Sequence, residues 1–441
     1  MIVHFVHNKL EPTTVGSQST NEIELGGVGI SAQHAVVTNQ NNKMIELKLL
    51  TGSVTVNGKE IETSTELLHN DRVSFGSGHL YAFHHPQDAY QREKAGENLS
   101  VSAPTFNEAQ KEIAKEKGFD METAGKSSED LQLMDDLVEI IPMVNEVNAI
   151  SVELDKKAFF EIILISPQAR GESLSKRTLV FVKFMDLVDQ TEFYWIKDKF
   201  VDKKFVMQEM YQNYQFNPED VSNWDLAKDN DPFYEDPETT PVVVGGLQLF
   251  LESLAYLVDM DDTLQISDYR GQSAGHCEVV LYPVDPTGKA IKEAYIENPN
   301  ELLNKPLNFE VMIKNIKGLH KRFKNLAIEY KFEGEEYQSP RSKDKHTNFS
   351  LNYHNRFSWE SVSREQLDLL QTGGIFTQVC CNQRPNDKGL VNRKKMHTKN
   401  LINDMKGLRM VWKMFFQKTT VEHLFFNIFL PFLISIRTLK H

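Results

Sequence analysis

Within the first 85 or so residues no stretch is long and regular enough for a helix. Short β-prone runs at 2–6, 22–25, 34–38, 44–50, 54–56 and 72–75 are cut by Gly26-Gly27, Asn41-Asn42, Asn57-Gly58 and Gly76-Ser77-Gly78. Asn57-Gly58 supplies the positive φ that a tight hairpin turn requires. Strands this short, punctuated this often, predict a β-sandwich over residues 1–90.

At 441 residues the chain is roughly three times the ~150-residue expectation for one domain, so two or three domains are expected. It is 40% hydrophobic and 25% charged, an ordinary globular composition. The net charge of -13 argues against a protein that coats nucleic acid. Cys277, Cys380 and Cys381 are the only cysteines, which excludes a disulfide scaffold and suits a reducing, cytoplasmic setting. The N-terminus carries no signal pattern. Charge is uneven: residues 384–441 hold twelve Lys/Arg against three Asp/Glu. That basic tail is expected to be solvated or to touch acidic surfaces.

Residues 91–156 read as a polar linker followed by a helical segment. Leu133, Leu137, Ile140, Val144, Val147 and Leu154 recur at heptad spacing, with Ser151 filling one position. A second stripe, Leu131, Met134, Val138 and Ile141, runs beside it and favours burial against a domain over a simple two-stranded coiled coil. Pro142 removes a backbone donor, so a kink or two shorter helices are expected. Residues 157–300 form a mixed middle region with strands at 158–165, 178–184 and 192–196, a helix around 200–211 and an acidic loop at 217–240. Residues 301–383 alternate apolar and polar positions, as at Leu307, Phe309, Val311 and Ile313, and predict a second β-sandwich. The fold class expected is therefore mainly β with α. In the tail, 424–436 is apolar but holds Pro431. As a helix it would span about 20 Å, short of a ~30 Å hydrocarbon core. Contact of the basic tail with a membrane surface remains a secondary expectation, and removal of 421–441 is expected to leave folding unchanged.

Catalytic constellations are missing. Gly288-Lys289 lacks the upstream glycine of a phosphate-binding loop, and Ala290 stands where Ser or Thr is required. His84-His85 and Cys380-Cys381 are adjacent pairs that point to opposite faces of a strand and cannot easily share a metal. No catalytic residue, metal or cofactor is expected.

Gly16-Ser17, then Ser31-Ala32-Gln33-His34, then Asn57-Gly58 resembles the forkhead-associated (FHA) signature, whose β-sandwich reads phosphothreonine peptides through its loops. The resemblance implies that Ser31 contacts phosphate, His34 braces the loop, and Gly16, Asn57 and Gly58 are structural. Ser17 stands where the family has its phosphate-gripping arginine, and Gly52 and Val54 replace an asparagine and a threonine. A phosphate dianion is held mainly by charge-assisted bonds, so phosphopeptide binding through Ser17 and Ser31 is expected to be weak or absent.

A longer run of motifs resembles kinesin-3-class motors. It includes Asp71-Arg72-Val73, Ile141-Pro142-Met143-Val144-Asn145-Glu146-Val147-Asn148-Ala149-Ile150-Ser151, Met207-Gln208-Glu209-Met210-Tyr211, Ile266-Ser267-Asp268-Tyr269-Arg270-Gly271-Gln272 and Asp285-Pro286-Thr287-Gly288-Lys289. Kinesins carry an ATP-hydrolysing head ahead of the FHA domain, whereas this chain starts at the FHA-like unit, so no motor activity is expected of it. The resemblance implies a cytoskeleton-associated tail that binds cargo or adaptor proteins for microtubule-based transport, with self-association as a further expectation. The alternative is a phosphothreonine-peptide-binding signalling module.

Overall fold

The computed structural model describes residues 4–7, 11–96, 105–122, 125–172, 176–291, 295–342 and 347–406. Its N-terminal unit is a sandwich of two antiparallel-dominated sheets. One contains β1 (Thr13–Gly16), β2 (Ile23–Glu24), β3 (Ala35–Gln40), β4 (Met44–Leu49) and, beyond these, β7 (Ser64–Glu66), in the order β2-β1-β3-β4-β7. The other contains β5 (Val54–Val56), β6 (Lys59–Glu60), β8 (Arg72–Phe75) and β9 (His79–Ala82), in the order β6-β5-β8-β9. Alternation puts Ala35, Val37, Ile45, Leu47, Val73 and Phe75 inside, where they close a small core of their own. Asn57 and Gly58 both take positive φ, +51° and +80°, which makes the turn between β5 and β6.

Three helices follow: α1 (Pro86–Lys94), α2 (Phe106–Glu116) and α3 (Ser128–Glu153). Thr105 with Glu108, and Ser127 with Asp130, form capping boxes that start α2 and α3. The linker is thus helical over much of its described length. Pro142 does not break the segment into two shorter helices: α3 runs 26 residues through it. Eight of its residues are buried, among them Leu137, Ile140, Ile141 and Val144, and that burial outweighs one lost backbone bond.

The heptad-spaced stripe packs within the chain. Asn148 of α3 donates to the Phe160 carbonyl and accepts from the Phe160 N–H, both at 2.8 Å. Ser151 donates to the Ala158 carbonyl at 2.7 Å, which accounts for a serine in an apolar series. These residues belong to β10 (Ala158–Ile165), an outer strand of a three-stranded sheet with β11 (Leu179–Asp186) and β12 (Glu192–Ile196). Helix α3 therefore satisfies an exposed sheet edge. Next comes α4 (Lys197–Phe216), packed on α3 and β12. The acidic loop after it is pinned: Lys156 pairs with Asp225 and Asp231, Lys199 with Glu235 and Lys324 with Glu238, while Phe233 is buried.

The remaining strands are β13 (Val242–Phe250), β14 (Met260–Ser267), β15 (Ser273–Val284), β16 (Leu307–Lys317), β17 (Phe323–Phe332), β18 (Glu335–Gln338), β19 (Phe349–Trp359) and β20 (Gly374–Gln383). Short helices α5 (Glu252–Ala255) and α6 (Arg364–Thr372) connect them. All eight strands form one antiparallel sheet, ordered β18-β17-β20-β13-β14-β15-β16-β19. It curls until its ends face each other: Phe332 of β17 lies 4.8 Å from Phe357 of β19, ring to ring, and Tyr337 of β18 lies 5.3 Å from Phe357. The second β unit therefore begins at Val242 and includes strands that the sequence reading assigned to the middle region. Beyond β20, α7 (Leu390–Lys395) and a helical stretch at 398–406 fold back. Thr398 donates its N–H and hydroxyl to Asp155, and Leu401 and Ile402 bury against Leu187. This part of the basic segment is docked. The apolar run 424–436 lies outside the described residues, and among those described no helix is long and apolar enough to cross a membrane.

Candidate functional site

The loops after β1, before β3 and before β5 meet at one end of the N-terminal sandwich, and His34 holds them there. Its side chain is fully buried. Nδ1 accepts the Ser31 N–H at 3.1 Å, and Nε2 faces the Ser53 carbonyl at 3.0 Å. Those partners require a neutral ring with the proton on Nε2. Burial lowers the His34 pKa; the Ser53 bond opposes this and His79 adds to it. The backbone of His34 also donates to Val15 and accepts from Leu50 and Thr51.

Glycines allow the loops to approach. A Cβ on Gly16 would stand 2.3 Å from the Ala32 carbonyl oxygen. At Gly52, φ is +91° and a Cβ would stand 2.4 Å from His34 Cε1 and 3.2 Å from Ser31 Oγ, so the Ser31 hydroxyl lies directly over this glycine. Ser17 is exposed, and its N–H donates to the Ser31 carbonyl at 3.0 Å. Asn21 braces the same loop by donating to the carbonyls of Gln18 and Ala32. Ser17 and Ser31 are thus neighbours on one surface, presenting hydroxyls without a cationic side chain at position 17.

Asn57 and Gly58 lie at the opposite end of β5. The Asn57 side chain donates to Asp71 at 2.8 Å and accepts the Arg72 N–H at 2.9 Å. A Cβ on Gly58 would meet the backbone of Glu112 at 2.8 Å, so this turn is seated on α2. Arg72 and Glu112 form a bidentate ion pair there, Nε and Nη2 each donating to one carboxylate oxygen. At the loop end, the Gly29 N–H donates to Glu153 of α3 at 2.7 Å, and the other Glu153 oxygen accepts from Tyr211 of α4 at 2.5 Å. The sandwich is therefore clamped at both ends. The Gly29–Glu153 clamp was not visible in the sequence, because the two residues are 124 positions apart and neither belongs to a motif.

An FHA domain family matches residues 13–76, the span holding these loops and the turn, and a Kinesin protein 1B family matches residues 200–242. The chain is kinesin-like and carries an FHA domain. It is 28% identical over 325 residues to Kinesin-like protein KIF28 of Rattus norvegicus, covering 71% of this chain and 30% of that protein. To Kinesin-like protein KIF28P of Homo sapiens it is 30% identical over 301 residues, 66% of this chain and 30% of that one. To Kinesin-like protein KIF28 of Mus musculus it is 28% identical over 394 residues, 85% of this chain and 37% of that one. The kinesin-like chain thus spans about a third of the length of these relatives.

The three cysteines are buried and free. Burial pushes Cys277 and Cys380 up to about 12. Thiols held protonated in this way are poor nucleophiles. Among the described residues no cluster of His, Cys, Asp and Glu could hold a metal ion.

Proposed function

We propose that the chain is a non-catalytic attachment module of a kinesin-like protein, binding cargo or adaptor proteins for microtubule-based transport at the cytoskeleton. One observation carries this reading: an FHA sandwich with its loop-bracing core complete, but with Ser17 where a phosphate-gripping arginine would stand, clamped by α2 and α3 to a larger body. Such a unit presents a preformed protein-binding surface without the charge that phosphate recognition needs. The test fuses the full chain to a constitutively active kinesin motor in cells. Organelles or adaptor complexes should redistribute with the fusion and not with the motor alone. A fusion that walks but moves nothing would refute the reading.

The second reading, a phosphothreonine-peptide module, is favoured by the Ser31 hydroxyl, which lies over Gly52 on the open loop face beside exposed Ser17. A hydroxyl and backbone donors can hold phosphate, but each neutral bond contributes only about 1 kcal/mol net. Weak binding is the outcome consistent with that geometry.

A further inference from the structure

Between the three-stranded sheet and the curled sheet lies a cavity of about 500 Å³. Its wall includes an incompletely paired strand. Strand β13 keeps a long ladder with β20 on one side, but on the other it shares a single register pair with β14, Gly246 with Ser267. Val242, Val243 and Val244 line the cavity beyond that pair, where β13 has no ladder partner on the β14 side among the described residues. An unpaired strand edge is a template for another extended chain.

The lining is also cationic in excess, within a chain of net charge -13. Lys183, Arg270 and Arg322 face Glu192 and Asp268. Lys183 is buried and shares Glu192 with Arg322, each at 3.3 Å. The Arg322 Nε is buried without a hydrogen-bond partner, a donor left free beside the cavity. Arg270 is more than half exposed at the rim and pairs with Asp268 at 2.9 Å. His320, also in the lining, is held below its ordinary pKa first by burial and then by the neighbouring Arg322 and Lys321.

We propose that this cavity receives an extended acidic segment of a partner protein, which adds to the β13 edge at 242–244 and sets carboxylates against Arg322 and Arg270. Three residues of extended chain span about 10 Å, matching the open length of the edge. The proposal rests on the protein-binding reading and names the chemistry of one partner. It can fail while the motor fusion still carries cargo, so the two failures are distinguishable.

The test titrates the full chain into fluorescein-labelled acetyl-Glu-Val-Glu-Val-Glu-amide and follows anisotropy. Two control peptides have glutamine in place of glutamate and proline in place of valine; proline cannot donate to a strand. The first peptide should bind at least tenfold more tightly than either control, and it should slow backbone hydrogen exchange at 242–244. Arg270→Gln should weaken it fivefold or more; the Arg270 side chain is itself more than half exposed, so the fold should persist. Arg322→Lys, which keeps a cation near Glu192 but removes the Nε donor, should also weaken it. Equal binding of all three peptides, a proline peptide as tight as the first, or an unaffected Arg270→Gln would each overturn the proposal.

Discussion

A neutral imidazole offers one acceptor and one donor, and His34 uses both to join two loops of the FHA unit. Protonation would place a donor against the Ser31 N–H. The His34 pKa is lowered from its ordinary 6.5 by burial, so the native state binds this proton less readily than the unfolded chain. Its contribution to stability is present above pH 6.5 and is lost as pH falls below that value. His34→Asn should lower stability by about 1–3 kcal/mol at neutral pH. It should also flatten the fall in melting temperature between about pH 7 and pH 5, where protonation of the buried ring weakens the native protein. Parallel slopes for the two proteins would contradict this. The same packing decides position 52. Restoring the FHA-type asparagine by Gly52→Asn would drive a Cβ into the His34 ring and should destabilise the unit by about 2 kcal/mol, seen in denaturant titration.

Side-chain bonds from α3 to β10 show what joins elements in this chain. Asn148→Ala removes both bonds to the Phe160 backbone and should cost about 2 kcal/mol, with faster hydrogen exchange along β10. Unchanged exchange there would show that the edge is protected by something else. Much of this level was legible in the sequence. Strands at 158–165 and 192–196, the helix near 200–211 and the alternation from Leu307 to Ile313 all carry local patterns that their burial reproduces. The two-helix alternative at Pro142 failed because a local rule about one missing donor cannot register how much apolar surface α3 buries. The loop face was legible as to which residues it holds. Its mounting was not, since the Gly29–Glu153 and Gly58–Glu112 contacts depend on pairings far apart in sequence.

On the scale of the whole molecule, the boundaries moved for a topological reason. Strand β13 finds its main partner in β20, so the curled sheet cannot be divided where the alternation begins. The first part of the basic segment is anchored to the middle region through Thr398, Leu401 and Ile402. Deleting 421–441 should leave the melting temperature unchanged. Deleting 384–441 should lower stability by about 3–6 kcal/mol, the burial of two large aliphatic side chains. Equal melting temperatures for the two truncations would contradict the docked arrangement.

In the function proposed above, this kinesin-like chain binds proteins without depending on phosphate at its FHA loops. Paired titrations of the full chain with phosphothreonine peptides and their unmodified forms test it most directly, with Ser17→Arg and Ser31→Ala alongside. Near-equal, weak binding of both forms by the native chain is expected, with a gain of about tenfold or more for phosphopeptides alone in Ser17→Arg, the contribution of one charge-assisted bond. Low-micromolar, phosphate-dependent binding by the native chain, abolished by Ser31→Ala, would contradict it.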